Sequence, residues 1–249
     1  MITITPWLPP LLAAPFVGSF LGVVIDRLPE GRPIVLARSQ CAACGRALRP
    51  AELVPFASFL RQRGRCRGCG ARIGWFAPSV EAAALAIAAS AVLSGATGPT
   101  LWAGCALGWT LLTLAWIDWR HFILPDVLTL PLLLAGLGLG LAEGRAAALD
   151  GALGAALGYG GLWLVGALYR RLRGRDGLGG GDAKLLAAGG AWLGAAALPW
   201  VLLGAAVSGL AIAALTRRRG LAPTLAVPFG PPLAAAIWLV WLWPGLLPG

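Results

Sequence analysis

The chain alternates long apolar runs with short polar joints, and its one extended polar stretch lies between residues 26 and 75. Eight runs are long enough to predict helices crossing a bilayer: about 7–25, 76–94, 101–117, 127–142, 147–169, 183–196, 198–215 and 227–243. The pattern predicts an all-α polytopic membrane protein in three parts. A first transmembrane helix occupies 1–25, a polar cysteine-bearing insertion 26–75, and a seven-helix membrane portion 76–249. No basic stretch precedes the first run, so it is expected to stay as a helix rather than be removed as a signal. Pro9, Pro10 and Pro15 are expected to kink it or delay its start.

Composition agrees. Hydrophobic residues make up 58% of the 249 positions and charged ones 12%, with mean hydropathy +0.79, which excludes an ordinary soluble domain. A net charge of +10 would suit a polyanionic partner such as nucleic acid, but its placement argues otherwise. Segments 26–75, 118–126, 170–184 and 216–226 hold 10, 1, 5 and 3 of the 20 Lys and Arg residues, and Arg145 alone lies on the opposite side. The positive-inside rule then puts those four segments in the cytoplasm and both chain ends outside.

Four cysteines stand out in the polar stretch. Cys41 and Cys44, then Cys66 and Cys69, form two C-x-x-C knuckles, with Gly45 and Gly70 just after them where a tight turn is needed. The spacing resembles a zinc ribbon, whose four thiolates would close a tetrahedron and leave no open position, so such a metal would be structural. Disulfides or free thiols are the alternatives, and a cytoplasmic location disfavours disulfides. Cys105, inside a predicted span, reads as a small buried hydrophobe.

Acids inside an apolar helix are functional candidates by default. Asp118 closes the third predicted span beside Trp116 and Trp119, and Asp182 opens the sixth after Gly179-Gly180-Gly181. Because odd and even spans run in opposite directions, both acids belong to the same membrane face. A helix cap is the plainer role for Asp182, and it does not exclude catalysis. Asp126, after Pro125, is expected to cap the next helix. Lys184, the only lysine, would hold the pair's charge or meet substrate. Glu81 reads equally as a structural hydrogen-bonding group or a functional one, and His121 as an interfacial residue without a metal-ligand partner. The Gly18-Ser19-Phe20-Leu21-Gly22 face of the first span suits a close helix neighbour.

Two adjacent carboxylates cannot both ionise cheaply, so they share a proton. The ionised one can take a proton from water while the other protonates a carbonyl oxygen or leaving amine, which is peptide hydrolysis without a covalent intermediate. A transporter or proton relay is the rival reading. It predicts acids spread through the depth of the bundle rather than gathered at one rim. A zinc module merely tethered to membrane helices would leave the glycine–aspartate element without a purpose.

Taken together, these residues resemble the bacterial prepilin peptidases, leader peptidases and N-methyltransferases among the GxGD intramembrane aspartyl proteases. The resemblance rests on Gly18-Ser19-Phe20-Leu21 with Arg27-Leu28-Pro29, the cysteine knuckles, Asp118 with Leu124-Pro125-Asp126, Gly179-Gly180-Gly181-Asp182-Ala183-Lys184 and Pro228-Phe229-Gly230-Pro231. It implies Asp118 and Asp182 as the catalytic pair and Cys41, Cys44, Cys66 and Cys69 as ligands of a structural zinc. It also implies cleavage of the basic leader of type IV prepilins or type II secretion pseudopilins, on the cytoplasmic side of the bacterial inner membrane. Methylation of the new amino terminus by S-adenosylmethionine would follow. Gly22, Asp26 and Ala42 depart from the common family pattern, all in the amino-terminal third associated with methyl transfer and zinc. Proteolysis is therefore the better supported activity, and no glycine-rich loop marks a methyl-donor pocket.

Overall fold

The computed structural model describes residues 6–174, 179–218 and 228–246. Arg175, Asp176, Arg219, Gly220 and Val227, used in reading charge and span ends, lie outside the described residues. Among those described, nine α-helices carry the fold, and β pairing is confined to two isolated bridges. Contacts divide the chain into two units, Met1–Trp109 and Thr110–Gly249.

In the first unit, α1 (Leu8–Arg27) packs against α3 (Phe76–Leu93). The approach is close because Gly18 has no side chain: a Cβ there would lie 2.6 Å from Glu81 Cα and 3.1 Å from the Val80 carbonyl. Pro9 and Pro10 fall in the first turn of α1, where a missing N–H costs little, and Pro15 lies within the helix. At the far end, buried Arg27 donates to the Pro33 and Ala37 carbonyls at 3.0 and 2.8 Å, tying the polar stretch to the helix that precedes it. A short helix α2 (Ala57–Arg61) interrupts that stretch. The next long helix, α4 (Gly98–His121), gives its first half to this unit, where Trp109 Nε1 donates to the Ala84 carbonyl at 3.0 Å.

The second unit is organised around α7 (Gly180–Leu193), which packs on α5 (Asp126–Glu143), α6 (Arg145–Arg173) and α9 (Gly230–Leu242). Nine of its 14 residues are buried. Gly151, Gly154 and Gly158 form a side-chain-free stripe on α6 that meets the α7 backbone at Ala191, Gly190 and Leu186. A Cβ at Gly158 would come within 2.8 Å of the Leu186 carbonyl. In an apolar solvent, where hydrophobic burial adds little, such close backbone approach is what lets dispersion hold helices together. On the opposite flank, Trp192 Nε1 donates to the Leu132 carbonyl at 2.8 Å. The helix stops at Gly194, whose φ of +80° suits a residue without Cβ, and α8 (Leu198–Arg218) leads back towards α9.

Every run expected to be helical is helical, with two differences of length. Among the described residues, six helices are long and apolar enough to cross a membrane. The helices at the sixth and eighth expected spans have only 14 and 13 residues, roughly 21 and 20 Å at ~1.5 Å per residue, less than a hydrocarbon core of ~30 Å.

Candidate functional site

The two acids singled out from sequence meet in the second unit. Asp118 lies one turn from the end of α4, Asp182 in the first turn of α7, and they are 6% and 7% exposed. They sit within reach of each other's charge. Neither is a conventional helix cap. Gly179 is the N-cap of α7 and Asp182 is the third helical residue, with its carboxylate lying beside Gly179.

The glycines around Asp182 differ in what they permit. A Cβ on Gly179 would lie 3.1 Å from Asp182 Oδ2, and one on Gly181 2.9 Å from the Leu124 side chain, whereas one on Gly180 would meet nothing within 4 Å. The motif thus needs bareness at its first and third positions and tolerates a side chain between them. Leu124 belongs to the tight linker from α4 to α5, where Phe122 takes a positive φ of 56°.

Gly230, which sequence reasoning listed only as part of a motif, holds the other acid. Its backbone N–H donates to Asp118 Oδ2 at 2.9 Å, in a buried setting. The prolines 231 and 232 carry no N–H, and Leu233 N–H is spent on the Phe229 carbonyl at 3.1 Å. Gly230 is therefore the free donor at the start of α9. A Cβ on it would press to 2.5 Å from Asp118 Oδ2, so a side chain there would push the carboxylate aside. The readable signal was a glycine followed by two prolines at a helix start.

Asp126 does not cap α5. Pro125 is the N-cap, without a side-chain hydrogen bond, and Asp126 is the first helical residue. Its carboxylate instead takes Lys184 Nζ at 2.6 and 2.8 Å. A proline in the cap position places the acid one residue too far along to reach back, and the lysine on α7 offers a charge. The pair joins the start of α5 to the second turn of α7, two residues after the acid of α7. His121 is exposed at the last residue of α4, and Cys105 is fully buried.

In the first unit, the Sγ atoms of Cys41, Cys44, Cys66 and Cys69 lie within 4.8 Å of one another, Cys41 and Cys69 at 3.9 Å. All four are free thiols. A tetrahedron with metal–sulfur bonds of ~2.3 Å has edges of roughly 3.8 Å, so the donor set fits a closed four-sulfur metal site. The knuckles are built alike. Cys41 N–H bonds to the Arg46 carbonyl and Cys66 N–H to the Ala71 carbonyl, and Gly45 and Gly70 turn the chain with φ of 70° and 72°. Backbone amides of Cys69 and Gly68 hold the Cys66 thiol down to about 6, favouring the thiolate that a metal needs. Arg46 clamps the two knuckles to the following turn through Glu52, at 2.7 Å. That bond, with the Arg49 amide, holds the Glu52 carboxyl down to about 2.

Glu81, on α3, is 5% exposed and accepts a hydrogen bond from Phe56 N–H at 2.9 Å, with the Ser19 side chain beside it. The structural half of its two readings is thus met, with a loop as the partner.

A helical membrane-type fold with a buried acid pair behind a glycine turn, preceded by a tetra-cysteine module, defines a class. Residues 12–94 match the Bacterial Peptidase A24 N-terminal domain and residues 105–214 the Type IV leader peptidase family. The chain belongs to the type IV leader peptidase family. It is 43% identical over 246 residues to the prepilin leader peptidase/N-methyltransferase of Burkholderia pseudomallei strain K96243, covering 88% of this chain and 79% of that protein. The proteins of the same name from Pseudomonas aeruginosa PAO1 and Aeromonas hydrophila are 40% and 38% identical. Those alignments cover 94% and 91% of this chain, and 89% and 87% of the relatives. No solved structure gives a significant match.

Proposed function

We propose that the chain is a membrane-embedded aspartyl peptidase that removes the basic leader of type IV prepilins or type II secretion pseudopilins. It then N-methylates the new amino terminus with S-adenosylmethionine. The observation that carries the peptidase reading is the convergence of buried Asp118 and Asp182 at the starts of α9 and α7. The ionised member of the pair takes a proton from water, and the water oxygen attacks the scissile carbonyl carbon. The protonated member gives its proton to the carbonyl oxygen, and the amide nitrogen is protonated as the C–N bond breaks. Gly230 N–H fixes the orientation of Asp118, and the Lys184–Asp126 pair fixes the first turn that bears Asp182.

In this reading residues 1–25 form the first membrane helix, 26–75 the tetra-cysteine module and 76–249 the peptidase portion. Cys41, Cys44, Cys66 and Cys69 would hold a structural zinc, which cross-links the two knuckles when bound. The protein would lie in the bacterial inner membrane, with the zinc module and the acids on the cytoplasmic side. A transporter finds no support: the relatives bear a peptidase name.

The test is Asp118→Asn and Asp182→Asn, each assayed for prepilin cleavage in membranes beside a check of folded amount. Each should lower the rate by about 10³-fold or more. Cleavage at the parental rate by either folded variant rejects the assignment.

A further inference from the structure

The peptidase chemistry leaves Glu81 unused. Among the described residues no arginine or lysine pairs with it. The Phe56 N–H bond fills one of the roughly four acceptor sites of a carboxylate, and the Ser19 hydroxyl nearby could fill at most one more. A buried carboxylate without a counter-charge is costly, and a cationic ligand would complete it.

The surroundings suit one. Glu81 lines a cavity of about 130 Å³ whose other walls include Ser19, Leu53, Phe56, Phe59 and Ile73. This space is large enough for an ammonium group and one apolar side chain. Glu52 also borders it, but its oxygens are committed to Arg46 and the Arg49 amide, which leaves Glu81 as the available acid. The donor that orients Glu81 comes from strained backbone. Phe56 has φ 53° and ψ −51°, and Ala57 N–H bonds to the Pro55 carbonyl across it. That is the rare form of γ-turn, which costs energy and concentrates at functional positions. A second, larger cavity of about 800 Å³ shares Ser19, Leu48, Leu53 and Ala77 with the first. It has room for a cofactor-sized molecule.

We propose that the Glu81 cavity is the acceptor site for a peptide's free α-ammonium group, with the carboxylate binding the cation and receiving the proton it must lose before methylation. The proposal rests on the methyl-transfer reading above. The proton passes from nitrogen to the Glu81 carboxylate, freeing the nitrogen lone pair. That pair forms the N–CH₃ bond to a sulfonium methyl donor as the S–CH₃ bond breaks and its electrons stay on sulfur. The products are a methylammonium and a thioether, and Glu81 returns its proton to water.

The experiment uses the full chain in detergent and a peptide bearing the mature amino terminus, free or N-acetylated, without methyl donor. Anisotropy should give a free-amine peptide affinity at least about tenfold above that of the acetylated one. Glu81→Gln, of the same shape and still able to accept from Phe56, should abolish the preference. Persistence of the preference in Glu81→Gln, or none in the parent, overturns the site.

Methyl transfer to the mature peptide is then divided by the leader-cleavage rate of the same preparation. This ratio should fall at least about tenfold in Glu81→Gln. An unchanged ratio, which includes a parallel fall of both rates, marks Glu81 as structural and overturns the proposal. Ala77→Phe, which narrows the shared wall and leaves the carboxylate in place, should weaken both peptides alike, and unchanged binding of both would remove the cavity from consideration. If the parent prefers the free amine yet transfers no methyl group from labelled S-adenosylmethionine, the methyl-transfer reading fails and the amine site stands.

Discussion

The two units hold their acids by different means. In Thr110–Gly249, Asp118 and Asp182 are fixed mainly by main chain: a Gly230 N–H, a bare Gly179, a bare Gly181 against Leu124, and a glycine stripe on α6 that sets the place of α7. In Met1–Trp109, Glu81 and the cysteines are fixed by a strained turn, an arginine–carboxylate clamp and four thiols placed to close on a metal. The first arrangement is made of regular helices and tolerates almost no added atom. The second is made of loops, and its order depends on side-chain pairs and on whatever the thiols hold. Damage should therefore spread differently in the two. A methyl group is the sharpest tool against the acid pair, and loss of a cross-link the sharpest against the cysteine module.

After the exchanges of the two aspartates themselves, the largest effect expected is that of Gly230→Ala. Its Cβ would stand 2.5 Å from Asp118 Oδ2 and displace the carboxylate, so cleavage should fall about 10²-fold in a prepilin assay while folded protein is retained. Next comes loss of the proposed metal, by chelator or by Cys66→Ser. Hydrogen exchange across residues 26–75 should rise steeply, whereas leader cleavage should change by about tenfold or less. A collapse of cleavage to the level of the aspartate variants would erase the distinction between the two units.

Breaking the Lys184–Asp126 pair by Lys184→Met or Asp126→Asn should cost about threefold in kcat, since both groups are partly exposed. The double exchange, Lys184→Asp with Asp126→Lys, should recover part of it. The smallest effect belongs to Gly180→Ala, whose methyl group enters open space, and its cleavage rate should stay within about twofold of the parent.

Much of this was readable from the chain because membrane helices obey a simple rule. Eight apolar runs became eight helices, and their alternating direction brought Asp118 and Asp182 to one place before any contact was known. Asp126 was misread because a local preference, acid before a helix, was weighed without its neighbour: Pro125 takes the cap and Lys184 takes the acid. Gly230 was passed over because backbone donors carry no letter in a sequence. They become visible only when the residues that follow are known to lack an N–H. The Phe56 turn had no signal at all, since nothing in Val54-Pro55-Phe56-Ala57 forecasts a positive φ on an aromatic residue.

The brevity of α7 and α9 has a bearing on supply. Hydrolysis needs a second reactant that oil excludes, and the described α7 and α9, at roughly 21 and 20 Å, are less than half as long as α6 at roughly 44 Å. Both short helices begin at the paired carboxyls, one carrying Asp182 and the other bonding Asp118. Two rods starting beside a pair of carboxyls gather polar atoms in one corner, which would hold moisture that the apolar remainder of the bundle sheds.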